Sequence, residues 1–125
     1  MGEWFDARSY LDWNCEPALR PARDGSPHGD ARICQNPLLV ESDAADAEFP
    51  IGAASVKEQG TAGEIAIVSV VVRGSDGTGG AAWFWWRRNE ALGNVLVADF
   101  GVAECVDCHG TAPQDFVFTR LDDAP

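Results

Sequence analysis

The run EIAIVSVVVR at residues 64–73 is the most apolar stretch of the chain, and its β-branched residues mark it as a strand. A turn signal, SDGTGG, separates it from AAWFWWRR at 81–88, a second strand, so the two are expected to pair as a hairpin. By the two-residue period of a strand, Trp83 and Trp85 share one face, and Phe84 and Trp86 the other. ARIC at 31–34, EFPIGAASVKEQ at 48–59 and a short run near 94–99 read as further extended segments. Helical spacing is found twice. Residues 3–13 place Trp4, Phe5, Arg8 and Leu11 near one face, and Asn36 before Pro37 is a start signal for a helix over 37–46. Between them, NCEPALRPARDGSPHGD at 14–30 holds three prolines and two glycines and is expected to be a long loop. The pattern predicts a mainly β, α+β fold: an antiparallel sheet with two or three short helices, leading into a C-terminal cysteine and histidine segment.

With 125 residues the chain is long enough for one core and too short for two, so residues 1–125 are expected to form a single domain. Its formal net charge of -11 argues against nucleic acid and against anionic membrane surfaces, which are bound through clustered Lys and Arg. The longest apolar run, IAIVSVVV at 65–72, has the length of a strand, so no membrane partner is expected. A basic or neutral partner suits the acidic surface better.

The four cysteines fall into a separated pair, Cys15 and Cys34, and a close pair, Cys105 and Cys108. Two readings of the separated pair stay open: a disulfide, or two unrelated buried thiols. The close pair is followed at once by His109, giving C-x-x-C-H, the attachment pattern of c-type haem. Residues three apart on a helical turn share a face, so both thiols can reach the two vinyl groups of one porphyrin while His109 turns to the iron. Rival readings are a zinc site completed by Cys15 and Cys34, a redox-active dithiol, and a chance match. Apart from Met1 the chain has no methionine, and its other histidine, His28, lies in the Gly- and Pro-rich loop. A bound haem would therefore have His109 as its one protein ligand and an open sixth position. Lys57 is the one lysine beside eight arginines, which suggests an amine kept for its nucleophilicity; leftover codon bias explains it equally well.

SPHGDARICQNP at 26–37, FPIGAASVKE at 49–58, WFWW at 83–86 and CVDCHGTAPQDFVFTR at 105–120 resemble, in this order, successive blocks of the cytochrome P-460 family. The first 25 residues match no part of it. The resemblance implies a mainly β, homodimeric domain carrying haem c through Cys105 and Cys108, with His109 as axial ligand and Lys57 joined covalently to a meso carbon of the porphyrin. It also implies oxidation of hydroxylamine or a similar small nitrogen species, with electrons leaving to a separate acceptor such as a basic cytochrome. Arg32 matches a family position beside the distal pocket, and Trp83, Phe84 and Trp85 are further candidates for that pocket. The aromatic strand lacks the acidic residue expected there as general base. That departure resembles cytochrome c′-beta, a related branch with an apolar pocket that binds nitric oxide or carbon monoxide without oxidising a substrate. A third reading is a haem-free zinc or disulfide-stabilised domain. Covalent haem attachment implies a periplasmic or otherwise exported protein, hence an upstream leader in the precursor and surroundings that permit a Cys15 to Cys34 bridge.

Overall fold

The computed structural model describes residues 1–22 and 26–118. Six strands follow one another across a single sheet in chain order, every neighbouring pair antiparallel. They are β1 (Asn14–Cys15), β2 (Ala31–Gln35), β3 (Ala54–Thr61), β4 (Glu64–Arg73), β5 (Trp83–Asn89) and β6 (Asn94–Phe100). Three short helices accompany them, α1 (Gly2–Asp6), α2 (Pro37–Ala44) and α3 (Ala103–His109), with 3-10 turns at Ser9–Asp12 and Gly79–Ala82. This is the mainly β, α+β architecture expected from the sequence.

Both faces of the sheet are covered, which is why β4 reads as a nearly continuous apolar run. On one face Val71, Trp83 and Trp85 pack with Leu39, Phe49 and Val117, and α3 closes over them. On the other, Val56, Val68, Val70 and Trp86 pack with Phe5 and Tyr10. Register fixes this division: Trp85 pairs with Val71, and Trp86 with Val70.

Asn36 starts α2 as expected. Its side-chain oxygen accepts from Leu39 N at 3.1 Å and Ala54 N at 3.0 Å, while its amide donates to Gly52 O at 2.7 Å. The β4–β5 hairpin forms with the Gly79–Ala82 turn inserted in its connection. The tight β3–β4 turn carries positive φ at Ala62 and Gly63, the twist-matched geometry of a two-residue hairpin. Gly60 has no alternative, because a Cβ there would lie 1.7 Å from Glu64 O.

Two expectations change. The helix over 3–13 stops at Asp6, and Arg8 takes a left-handed φ of 51° before the 3-10 turn. The cause lies in the sheet: Glu58, 1% exposed, takes a hydrogen bond from the Tyr10 hydroxyl at 2.5 Å and another from Arg32 Nε at 2.6 Å. A buried carboxylate left without donors is costly, so the chain bends to bring Tyr10 in, and Leu11 stays exposed. Burial and the Glu58 carboxylate together push the Tyr10 hydroxyl well above the usual tyrosine range. The loop over 14–30 also contains structure, with β1 and an Arg20 to Ala31 bridge at its ends, while residues 23–25 lie outside the described part.

Cys15 and Cys34 are bonded to each other, joining β1 to β2 where they pair. Closing a loop of this size contributes about 3 kcal/mol to stability. The bridge also removes both sulfurs from any zinc site. Among the described residues, no three His, Cys, Asp or Glu side chains converge as a metal-holding group. The four-thiolate zinc reading is therefore withdrawn, and the disulfide takes its place.

Candidate functional site

Alternation along β3, β4 and β5 turns Lys57, Ser69 and Arg87 to one face of the sheet in a single cross-strand row, with Ser55, Val71 and Trp85 in the next. This face is the floor of a cavity of about 280 Å³. Its roof is α3, which contributes Glu104, Cys105, Cys108 and His109, and its walls include His28 and Phe118. Lys57 thus meets the cysteine and histidine segment in one cavity, although more than a third of the chain separates them.

Helix α3 lies close to the sheet because of a glycine. Val106 packs onto Gly80, where an added Cβ would come within 2.4 Å of Val106 Cγ1. Gly101, with φ of 59°, turns the chain from β6 into the helix. Cys105 is half-buried, Cys108 and Asp107 are exposed, and both thiols are free. Burial, with a smaller contribution from Glu104, raises the Cys105 thiol above its ordinary range. A redox-active dithiol needs the opposite shift, and burial and the adjacent Glu104 both work against it, so that reading is not favoured.

His109 is held by its backbone surroundings. Its Nδ1 lies 2.9 Å from Phe116 O, and a carbonyl can only accept, so Nδ1 carries the proton and Nε2 keeps its lone pair. Trp85, at 4.7 Å between ring centroids, and Phe118, at 5.5 Å, flank the ring. Phe116 O points there because Asp115 and Phe116 both adopt positive φ, 38° and 63°, a strained pair for residues with side chains. Arg73 clamps that turn: its side chain is 4% exposed and donates to Asp115 Oδ2 at 2.5 Å and Glu48 Oε1 at 3.0 Å. It also donates to the carbonyls of Ser75 and Gly77, and its guanidinium lies over the Trp83 ring.

The donor set fits a haem c. Two free thiols three residues apart face the cavity from one helix, and an imidazole with an available Nε2 follows them. The floor holds two further nitrogens, Trp85 Nε1 and Arg87 Nε, that are buried and have no hydrogen-bond partner among the described residues. Buried donors demand acceptors, and a tetrapyrrole with carboxylate side chains brings them.

Not every residue expected in the pocket is there. Trp85 lines it. Trp83 does not: it is fully buried beneath, with Nε1 3.4 Å from Asp115 Oδ1. Arg32 and Phe84 lie on the opposite face of the sheet, Arg32 paired with Glu58 and Phe84 packed on Phe100. The reason is parity, since Arg32 neighbours the pocket-facing Ile33 and Phe84 neighbours Trp85. Arg87 was legible by the same rule, two residues beyond Trp85. His28 carried no periodic signal at all, yet its ring lies 6.5 Å from that of His109. Residues 119 and 120, which close the resembling C-terminal block, lie outside the described part.

Burial, with the charges of Lys57 and His109, pushes His28 down to about 3, and burial lowers His109 as well. Depressed folded-state values mean stability that is complete above the unfolded histidine value near 6.5 and is lost as pH falls through the window toward 3. The porphyrin-free protein is expected to lose about 2 kcal/mol through His28 between pH 7.5 and pH 5, with His109 acting in the same direction. Urea denaturation at the two pH values measures this, and equal midpoints would contradict it.

No protein-family model matches this chain, and no curated protein is significantly similar to it.

Proposed function

We propose that this protein is a haem c protein of the cytochrome P-460 type that oxidises hydroxylamine or a similar small nitrogen species. One observation carries the reading: Lys57, Cys105, Cys108 and His109, drawn from two distant segments, line the same cavity. Each thiol would add across a vinyl group, its sulfur forming the carbon bond and its hydrogen passing to the neighbouring carbon, so attachment needs no oxidant. Haem held there by Cys105, Cys108 and His109 would supply a redox-active iron able to take a small ligand.

The chain's own residues supply the rest. The Phe116 carbonyl fixes the His109 tautomer and ring orientation. Trp85, Val71 and Val97 exclude water from the floor, and Lys57 presents an amine beside them. Oxidation of a hydroxylamine removes protons together with electrons. Glu104 is the carboxylate that lines the cavity among the described residues, and it is placed to receive them. The electrons pass to a separate acceptor, and the acidic chain suits a basic one. Assembly as an exported homodimer belongs to the same proposal. Among the described residues, no helix is long and apolar enough to cross a membrane.

A second reading, reversible binding of nitric oxide or carbon monoxide as in cytochrome c′-beta, is favoured by the apolar floor around Trp85. Lys57 separates the two. With the lysine link in place, peptide mapping finds residue 57 modified, and Lys57→Leu returns the visible spectrum to that of an ordinary c-type haem and abolishes hydroxylamine-dependent reduction of an added acceptor. An unmodified Lys57, with a spectrum indifferent to the substitution, would give the gas-binding reading precedence.

A further inference from the structure

The two histidines of the cavity are set in opposite proton forms. Gln59, 5% exposed, lies with Nε2 3.0 Å from His28 O and 3.2 Å from His28 Nδ1. The amide orientation is settled by the carbonyl, because an amide oxygen in that place would face another acceptor. Ser69 completes the assignment by donating its hydroxyl to Gln59 Oε1 at 2.9 Å. With one Gln59 hydrogen on His28 O and the second on His28 Nδ1, that ring nitrogen is an acceptor. The proton of the neutral ring therefore sits on Nε2. At His109 the reverse holds, since Nδ1 donates to Phe116 O and Nε2 is bare.

A metal takes a lone pair, so His109 is built to ligate and His28 is built to donate. His28 lines the cavity and its ring stands 6.5 Å from that of His109, edge to face, a spacing that two imidazoles on one iron would share, so the tautomers and not the distance separate a donor from a second ligand. We propose that His28, held in its Nε2–H form by Gln59 and Ser69, is the hydrogen-bond donor to the small molecule bound in this cavity and not a second axial ligand. The proposal rests on the haem reading above. It assigns a polar contact to a cavity whose floor is otherwise mostly apolar, and it favours ligands with an acceptor atom at their free end, such as hydroxylamine, nitric oxide or dioxygen, over those without one. Loss of a single such bond weakens ligand retention by roughly tenfold.

Two measurements test it. In the porphyrin-free full chain, nitrogen-15 correlation spectra of the imidazoles are expected to show His28 with a protonated Nε2 and a bare Nδ1, and Gln59→Leu is expected to mix the two forms. A bare Nε2 in the native chain would overturn the proposal. In the porphyrin-loaded protein, carbon monoxide is the probe. His28→Leu is expected to raise the C–O stretching frequency and to speed carbon monoxide dissociation roughly tenfold, with His28→Gln, which keeps an N–H donor, falling between. A stretch and dissociation rate unchanged by His28→Leu would overturn the proposal, and so would a low-spin bis-imidazole spectrum that His28→Leu abolishes. A chain that takes up no porphyrin overturns the haem reading itself, an outcome separate from either of these.

Discussion

Replacing Cys105 and Cys108 together with alanine is expected to abolish both thioether bonds to the porphyrin while leaving the fold intact. Each thiol is free, and the two project from one turn of α3 toward the cavity, so no other pair of sulfurs can substitute. Cys15 and Cys34 are bonded to each other and pack among Phe5, Tyr10 and Trp86 on the far face of the sheet. The cost to the fold is small because Cys108 is exposed and Cys105 only half-buried. Removing a side chain of that size from a partly buried site costs about 1 kcal/mol or less. Single replacements separate the two bonds: each leaves one thioether, detectable by peptide mapping as porphyrin on the remaining cysteine. Extraction of all porphyrin from the native protein would contradict the expectation.

Arg73→Met is expected to lower the unfolding free energy by about 3 kcal/mol. Its guanidinium is nearly fully buried and joins Glu48 and Asp115 to the carbonyls of Ser75 and Gly77 in the β4–β5 connection, so three segments lose their anchor together. Removing one partner of a buried ion pair is costly because the group left behind keeps its desolvation without compensation. The effect reaches the site through a short route. Asp115 and Phe116 hold a strained turn, and the Phe116 carbonyl sets the tautomer of His109. The variant is therefore expected to show two changes: a lower urea midpoint with an unchanged slope, and an altered nitrogen-15 signature of His109. Asp115→Asn keeps the shape and loses the charge, so its effect should be in the same direction and smaller. A full loss of stability with an unaltered His109 signature would show that the turn does not depend on Arg73.

The sheet was legible because its signals are local. The valine-rich run of β4, the aromatic run of β5 and the Asn-Pro start of α2 each carry their structure in consecutive residues. Face assignment within β5 followed from alternation alone, and Trp85 fell where that rule places it. Arg32 and Phe84 failed by the same rule, because resemblance assigned them to the pocket against the parity of their neighbours Ile33 and Trp85. The N-terminal helix failed for a nonlocal reason. Glu58 is buried beside Lys57 but on the other face, and the need to satisfy its carboxylate draws Tyr10 out of helical spacing. The β3–β4 turn was missed because Ala-Gly is a weaker signal than Asn-Gly for the same backbone. His28 was beyond local reasoning, since a loop rich in Gly and Pro fixes no direction for its side chains. Its contact with Gln59 of β3, which Ser69 of β4 holds in turn, places it.

Mass spectrometry of the intact, denatured chain, made in cells able to attach haem c, tests the central claim most directly. One species heavier than the polypeptide by a single haem is expected, with neither Cys105 nor Cys108 open to alkylation. A chain at its polypeptide mass, with both of those thiols alkylated, would contradict it.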